Sequence, residues 1–265
     1  MKNTKLAIIG GSGLDNFEDF KQSEAVRLDT PYGYPASGIK QGLLNDVPCV
    51  FLPRHGQQHE WPPHKVNYRA NIHLLKQLGV ESIIAINVVG GITSSMSPKT
   101  LVIPDQIIDY TYGREHTLYD TGDYGDAFAG GKTFEHIEFS YPYSPGLRTQ
   151  LIDFLQRHNI PFVGQGTYGC TQGPRLETQA EISRLHRDGC DIVGMTAMPE
   201  AALARELGID YVSICVVVNW AAGITKDTLE MESIVQVCAE SMETIKGLLP
   251  TLCVSIGDNE NSKPS

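Results

Sequence analysis

The stretch YVSICVVVNW, Tyr211 to Trp220, decides the reading of the chain. Its apolar run Val212–Val218 reads as a buried strand that ends on Asn219. A buried strand has no structural need of an amide at that point. An amide carries both a donor and an acceptor, which suits a ligand edge that mixes the two. In a parallel α/β sheet the C-terminal end of a strand opens on the crevice where such folds bind ligands. Asn219 is therefore the first candidate for a ligand contact.

Outward from this run, strands alternate with helices. Strands are predicted at Leu6–Ile9, Val47–Leu52, Ser82–Val89, Leu101–Ile108, Phe162–Gly169 and Asp191–Met195. Helices are predicted at Tyr68–Leu78, Leu147–His158, Glu177–Arg187, Pro199–Leu207 and Met231–Leu249. Pro199 at a helix start and Gly208 just past its end are both in favoured places. No linker or internal repeat interrupts the pattern, so one α/β domain is expected over residues 1–254. The polar tail 255–265 is expected to fray. Residues 111–144 are rich in Gly, Tyr, Asp and His without periodicity, and a long irregular stretch in a compact domain is more often functional than idle.

Composition narrows the partners. A chain of 265 residues with 41% hydrophobic and 20% charged residues is ordinary for a soluble protein. A net charge of -10 argues against general attraction to nucleic acid or to an anionic membrane, but leaves room for a small anion held by local cations and helix N-termini. Six cysteines without a CxxC pair suit a reduced cytosol. The apolar stretch near the N-terminus is too short for a signal peptide, and no segment approaches the roughly 20 apolar residues of a membrane span. A soluble, cytoplasmic protein is expected.

Four further segments carry candidate chemistry. IIGGSGL, residues 8–14, follows a strand, so its N–H groups and the Ser12 hydroxyl can cradle a phosphate; a plain turn explains it equally. Arg54-His55 follows another strand; Arg holds phosphate with two parallel hydrogen bonds, although such a loop pair can also be simply solvated. GMTAMPEAALARE, residues 194–206, places Met195 and Thr196 at a strand end before a helix, as core residue and cap or as ligand contacts. GPRLETQAE, residues 173–181, puts Glu177 at a helix start, where acidic residues are favoured anyway. The histidines His55, His59, His64 and His73 match no HExxH spacing, and the carboxylate of a catalytic zinc site is missing, so no metal is expected.

Taken together, IIGGSGL, RHGQQH, HKVNYRANI, GPRLETQAE and GMTAMPEAALA resemble, in order and over nearly the whole chain, the trimeric purine nucleoside phosphorylase family, most closely its methylthioadenosine phosphorylase branch. The resemblance implies a single-domain fold with a central mixed, partly barrel-like sheet flanked by helices. It implies reversible phosphorolysis: phosphate attacks the anomeric carbon of a purine nucleoside and the base departs. Positioning and preorganised electrostatics do most of that work, with inorganic phosphate as co-substrate and no cofactor. The family's phosphate site falls on Ser12, Arg54, His55 and Thr196 and on the backbone at Asn87 and Val88. Met195 corresponds to the residue lining the sugar. His136 matches a histidine donated to a neighbouring subunit's 5′ pocket, which implies a homotrimer with sites at its interfaces.

The departures from the branch carry the substrate. Its adenosine-type members have two aspartates where this chain has Asn219 and Ala221. Inosine- and guanosine-type members have a glutamate where Glu177 stands and use it to accept the N1–H of a 6-oxopurine. Neutral adenine has no N1–H, and a mismatched buried polar group costs on the order of 1–3 kcal/mol. The oxopurine members also have a histidine at the sugar's 5′ end, where this chain has Leu229 and Met231, which favour a methylthio group. The combination predicts phosphorolysis of S-methyl-5′-thioinosine, with Asn219, Glu177 and His55 as catalytic groups. Methylthioadenosine and inosine or guanosine are the alternatives, and a non-catalytic purine binder or a water-using nucleosidase are readings of other classes.

Overall fold

On the first strand, side chains alternate between two cores, and this alternation sets the plan of the molecule. The computed structural model describes residues 5–14, 20–119, 134–226 and 231–260. Strand β1 (Leu6–Gly10) sends Ala7 and Ile9 into one apolar cluster and Leu6 and Ile8 into another. β4 (Val47–Pro53), β5 (Ser82–Gly91) and β10 (Asp210–Trp220) divide their side chains in the same way. Strands covered on both faces must be apolar on both, and this is why Val212–Val218 has no polar alternation. Helices α1 (Tyr68–Gln77) and α4 (Glu200–Glu206) cover the first face, while α2 (Pro145–Arg157) and α5 (Met231–Glu260) cover the second.

Strands β4, β1, β5 and β10 run parallel, in that order. β2 (Lys21–Ala25) and β3 (Lys40–Leu44) extend the β4 edge antiparallel. At its far end β5 pairs antiparallel with β9 (Ile192–Gly194), which lies parallel to β8 (Thr167–Cys170). β8 pairs with β7 (Gln106–Asp109). β6 (Leu101–Val102) pairs with β10, and Val102 bridges to Val163 just upstream of β8. The ladder β5, β9, β8 and the isolated bridge from Val163 to β6, which pairs with β10, curl part of the mixed sheet toward a barrel. Among the described residues no helix is long and apolar enough to cross a membrane.

Several expected boundaries move, each for a physical reason. The strand expected at Leu101–Ile108 is two strands, because Pro104 between them offers no N–H to a ladder. The strand expected at Phe162–Gly169 contracts to β8, and only Val163 of its first half makes a bridge. Helix α3 (Gln179–Arg187) begins two residues later than expected: Thr178 caps it, and the Glu181 side chain bonds back to the cap backbone. Glu177 is thus outside the helix. The expected tail from 255 is helical to Glu260, since α5 continues and buries Ile256.

Candidate active site

The C-terminal ends of the four parallel strands converge on one cavity of about 220 Å³. Gly11 and Ser12 follow β1, Arg54 and His55 follow β4, Val88 to Gly90 come from β5, and Asn219 from β10. β9 enters from the other side and delivers Met195 and Thr196. Glu177, Ala221 and Met231 complete the candidates that line the cavity. Asn87, His136 and Leu229 do not join them. Asn87 is fully buried behind the wall, His136 lies in a separate cavity with Tyr119 and Glu206, and Leu229 is outside the described residues.

Asn219 faces the cavity because β10 breaks its own period there. Strict alternation would place it with Cys215 and Val217 in the core. Instead Val217 pairs with Val89 and Asn219 with Gly90, so Val218 is an extra residue and the strand bulges. A bulge re-aims the side chain that follows it. The Asn219 Nδ2 donates to the Trp220 carbonyl at 2.7 Å, which fixes the amide. One N–H of Nδ2 and the Oδ1 acceptor remain.

Arg54 is not a solvated loop residue. It is 1% exposed, and its Nε and Nη2 donate to the two oxygens of Glu200 at 2.6 and 2.7 Å. Nη1 donates to the Ile86 carbonyl at 3.0 Å, and Tyr211 donates its hydroxyl proton to Glu200. Burial alone would lower the pKa of the guanidinium, but the charge and hydrogen bonds of Glu200 outweigh it and raise it. Of its five N–H groups, two remain for a ligand. Nη1 lies 3.2 Å from the point a Gly11 Cβ would occupy, and the Ile86 carbonyl 2.6 Å from it, so only glycine fits between this cation and the turn. Sequence reasoning passed over Glu200; its signal was a carboxylate embedded in the apolar run MPEAALA.

Thr196 caps no helix, because α4 starts four residues later. Its hydroxyl accepts from the Asn87 Nδ2 at 2.8 Å, and the Ser213 hydroxyl donates to the Asn87 Oδ1. The Thr196 side chain is also in hydrogen-bond contact with Tyr168. The side chain of Asn87, a residue expected to act through its backbone, thus links Thr196 to Ser213. Ser213, a polar residue inside the Val212–Val218 run, is the signal that sequence reading missed. The His55 Nδ1 lies 2.8 Å from the Trp61 carbonyl, which only accepts, so Nδ1 carries a proton. The His59 ring stacks on it at 4.5 Å.

Arg114 ties together the segments around Thr171 and Met195. It is 8% exposed and donates to the carbonyls of Met195, Met198, Thr171 and Gln172. Thr171 donates its hydroxyl proton to the Glu177 Oε1 at 2.6 Å. The cavity lining thus combines a cation and hydroxyls, from Ser12, Arg54, His55 and Thr196, with the amide of Asn219 and the carboxylate of Glu177.

Residues 5–253 match the phosphorylase superfamily. The chain belongs to that family. It is 49% identical over 218 residues to the probable S-methyl-5′-thioinosine phosphorylase of Xanthomonas campestris pv. campestris, spanning 82% of this chain and 84% of the relative. Identity to the protein of the same description in Pseudomonas syringae pv. tomato is 47% over 246 residues, 93% of this chain and 97% of that one. The methylthioadenosine phosphorylase of Schistosoma mansoni, solved in complex with adenine, superposes with a TM-score of 0.86 at 32% identity, over 96% of this chain and 92% of that one. The chain is an enzyme of the nucleoside phosphorylase type, with the α/β fold that its motifs imply.

Proposed function

We propose that this phosphorylase cleaves S-methyl-5′-thioinosine with phosphate, giving hypoxanthine and 5-methylthioribose 1-phosphate. The observation that carries the reading is the presence of Glu177 and Asn219 in one cavity with the anion-holding set. A phosphate oxygen bonds to the anomeric carbon as its bond to the purine N9 breaks. The electron pair moves into the purine, which takes up a proton and leaves as the neutral base. Ser12, Thr196, His55 and the two remaining N–H groups of Arg54 hold the phosphate, and Val88 lines its pocket. Fixed donors of this kind act without reorganisation in a site shielded from water. The remaining N–H of Asn219 donates to the O6/N7 edge as negative charge builds there, while Glu177 accepts from N1–H.

Met195 packs on the sugar, and Met231 provides an apolar contact for the 5′ group. Ala221 leaves room where adenosine-type relatives carry a second aspartate. His136 of a neighbouring subunit completes the pocket in a homotrimer; its separation from this chain's own cavity supports that assignment. No metal or organic cofactor takes part. The reading places the enzyme in purine salvage.

Phosphate-dependent base release from S-methyl-5′-thioinosine, S-methyl-5′-thioadenosine and inosine tests the proposal. The first should give the highest kcat/KM, and Asn219→Asp should shift preference toward the 6-aminopurine. Faster turnover of methylthioadenosine by the unaltered enzyme would sink the base assignment. Base release without phosphate would mark a nucleosidase, and purine binding without turnover a binding protein.

A further inference from the structure

Glu177 can read a base only if its carboxylate is held toward the cavity, and it has two places to point. It lines the 220 Å³ cavity and also a second cleft of about 490 Å³ outside it, whose walls include Thr171, Arg175 and Arg184. Because Glu177 precedes the cap of α3, no helix fixes its backbone. Without a restraint the carboxylate is free to turn outward toward the guanidinium of Arg175.

Two features oppose that turn. Thr171 directs its single hydroxyl proton at the Glu177 Oε1, 2.6 Å away, in preference to the Gly194 carbonyl at 3.4 Å. Thr171 is itself immobilised: its N–H donates to the Gly194 carbonyl at 2.8 Å, and its own carbonyl accepts from the buried Arg114. Arg175, meanwhile, is engaged by both oxygens of Glu181 at 2.7 and 2.8 Å. One oxygen of Glu177 is therefore fixed on the outer side. The other, Oε2, has no hydrogen-bond partner among the described residues and is available to the cavity.

We infer that Thr171 is a positioning residue for base selection, setting the preference for 6-oxopurines by holding Glu177 in its base-reading orientation. The inference rests on the reading of Glu177 as the acceptor of N1–H. Thr171 does not line the inner cavity, and none of its hydrogen bonds goes to Ser12, Arg54, His55 or Thr196. Its effect should consequently fall on one class of nucleoside and leave phosphate binding alone. A threonine of purely structural value would affect all substrates equally.

The test compares kcat/KM for S-methyl-5′-thioinosine and S-methyl-5′-thioadenosine, with the KM for phosphate, in Thr171→Val, Thr171→Ser and Glu177→Ala. Val keeps the shape and removes the hydroxyl. The expected result for Thr171→Val is a fall of roughly tenfold for the oxopurine, the scale of one charge-assisted hydrogen bond, with little change for the aminopurine or the phosphate KM. Thr171→Ser should restore the unaltered ratio. If Thr171→Val lowers both nucleosides alike, or leaves the ratio intact while Glu177→Ala changes it, the positioning role is overturned and Glu177 stands. If Glu177→Ala leaves the ratio unchanged, the base-reading role of Glu177 is wrong and the inference goes with it. Should Thr171→Val not fold, Thr171→Ala is judged by the same criteria.

Discussion

Glu200 is 1% exposed and accepts from Arg54 twice and from Tyr211 once. Bringing two charges into the interior is costly, and their attraction offsets the cost only while both are present. A cation kept inside the fold and left with two N–H groups to spare is a strong device for drawing an anion into the cavity. Its geometry also depends on a partner that touches no ligand. Glu200→Gln should therefore destabilise the fold by about 3–5 kcal/mol in urea unfolding, because it strands the Arg54 charge. It should raise the phosphate KM more than the nucleoside KM. A stability loss under about 1 kcal/mol would mean that the pair behaves like an exposed one.

At the scale of elements, the caps and turns position the site as much as the strands do. Helix α3 starts where it does because Thr178 and Glu181 close a capping box, and Arg175 pairs with the same carboxylate. The bonds from Arg175, then those from the Thr178 backbone, pull the pKa of Glu181 down to about 2 from its ordinary 4.5. A lowered carboxylate pKa contributes stability that is present above the ordinary value. Between pH 4.5 and about 2 the unfolded chain binds the proton first, so that contribution is lost as the pH falls through this window. Unfolding midpoints of Glu181→Gln should accordingly fall less than those of the unaltered protein between pH 5 and about 2. Equal falls would remove Glu181 from the account. At neutral pH, Thr178→Ala should cost about 1 kcal/mol through loss of the cap.

The same scale explains what the sequence makes legible. The buried strands, five of the helices and the turn at Gly11 follow from apolar runs and punctuation that depend on local chemistry alone. The residues that line the cavity are legible because their motifs sit at strand ends. The bulge at Val218 is not, since it exists only in the register between β10 and β5. Nor are β2, which is exposed, and β3, which is half-exposed except at Leu44; both lack the apolar pattern that marks a core strand. Asn87 meets Ser213 and Thr196, and Arg54 meets Glu200, each across more than a hundred residues of sequence. No local pattern announces those pairings.

For the whole molecule, the proposed role of His136 bears on how many chains make one site. It lies beside a 450 Å³ cavity with Thr117, Phe134 and Glu206, apart from the cavity that Asn219 lines. On the proposed reading, His136 serves a neighbouring chain's site across an interface. In a closed ring each chain both gives and receives such a residue, so defects on the two sides of the site can complement one another. His136→Ala and Asn219→Ala should each be impaired when assembled alone. Dissociated, mixed in equal amounts and reassembled, they should form sites that combine the intact Asn219 of one chain with the intact His136 of the next, about a quarter of all sites under random pairing. Activity of the mixture should exceed the mean of the two parents and depend on reassembly. A mixture that merely averages its parents would place His136 outside its neighbour's site and make each chain's cavity complete in itself.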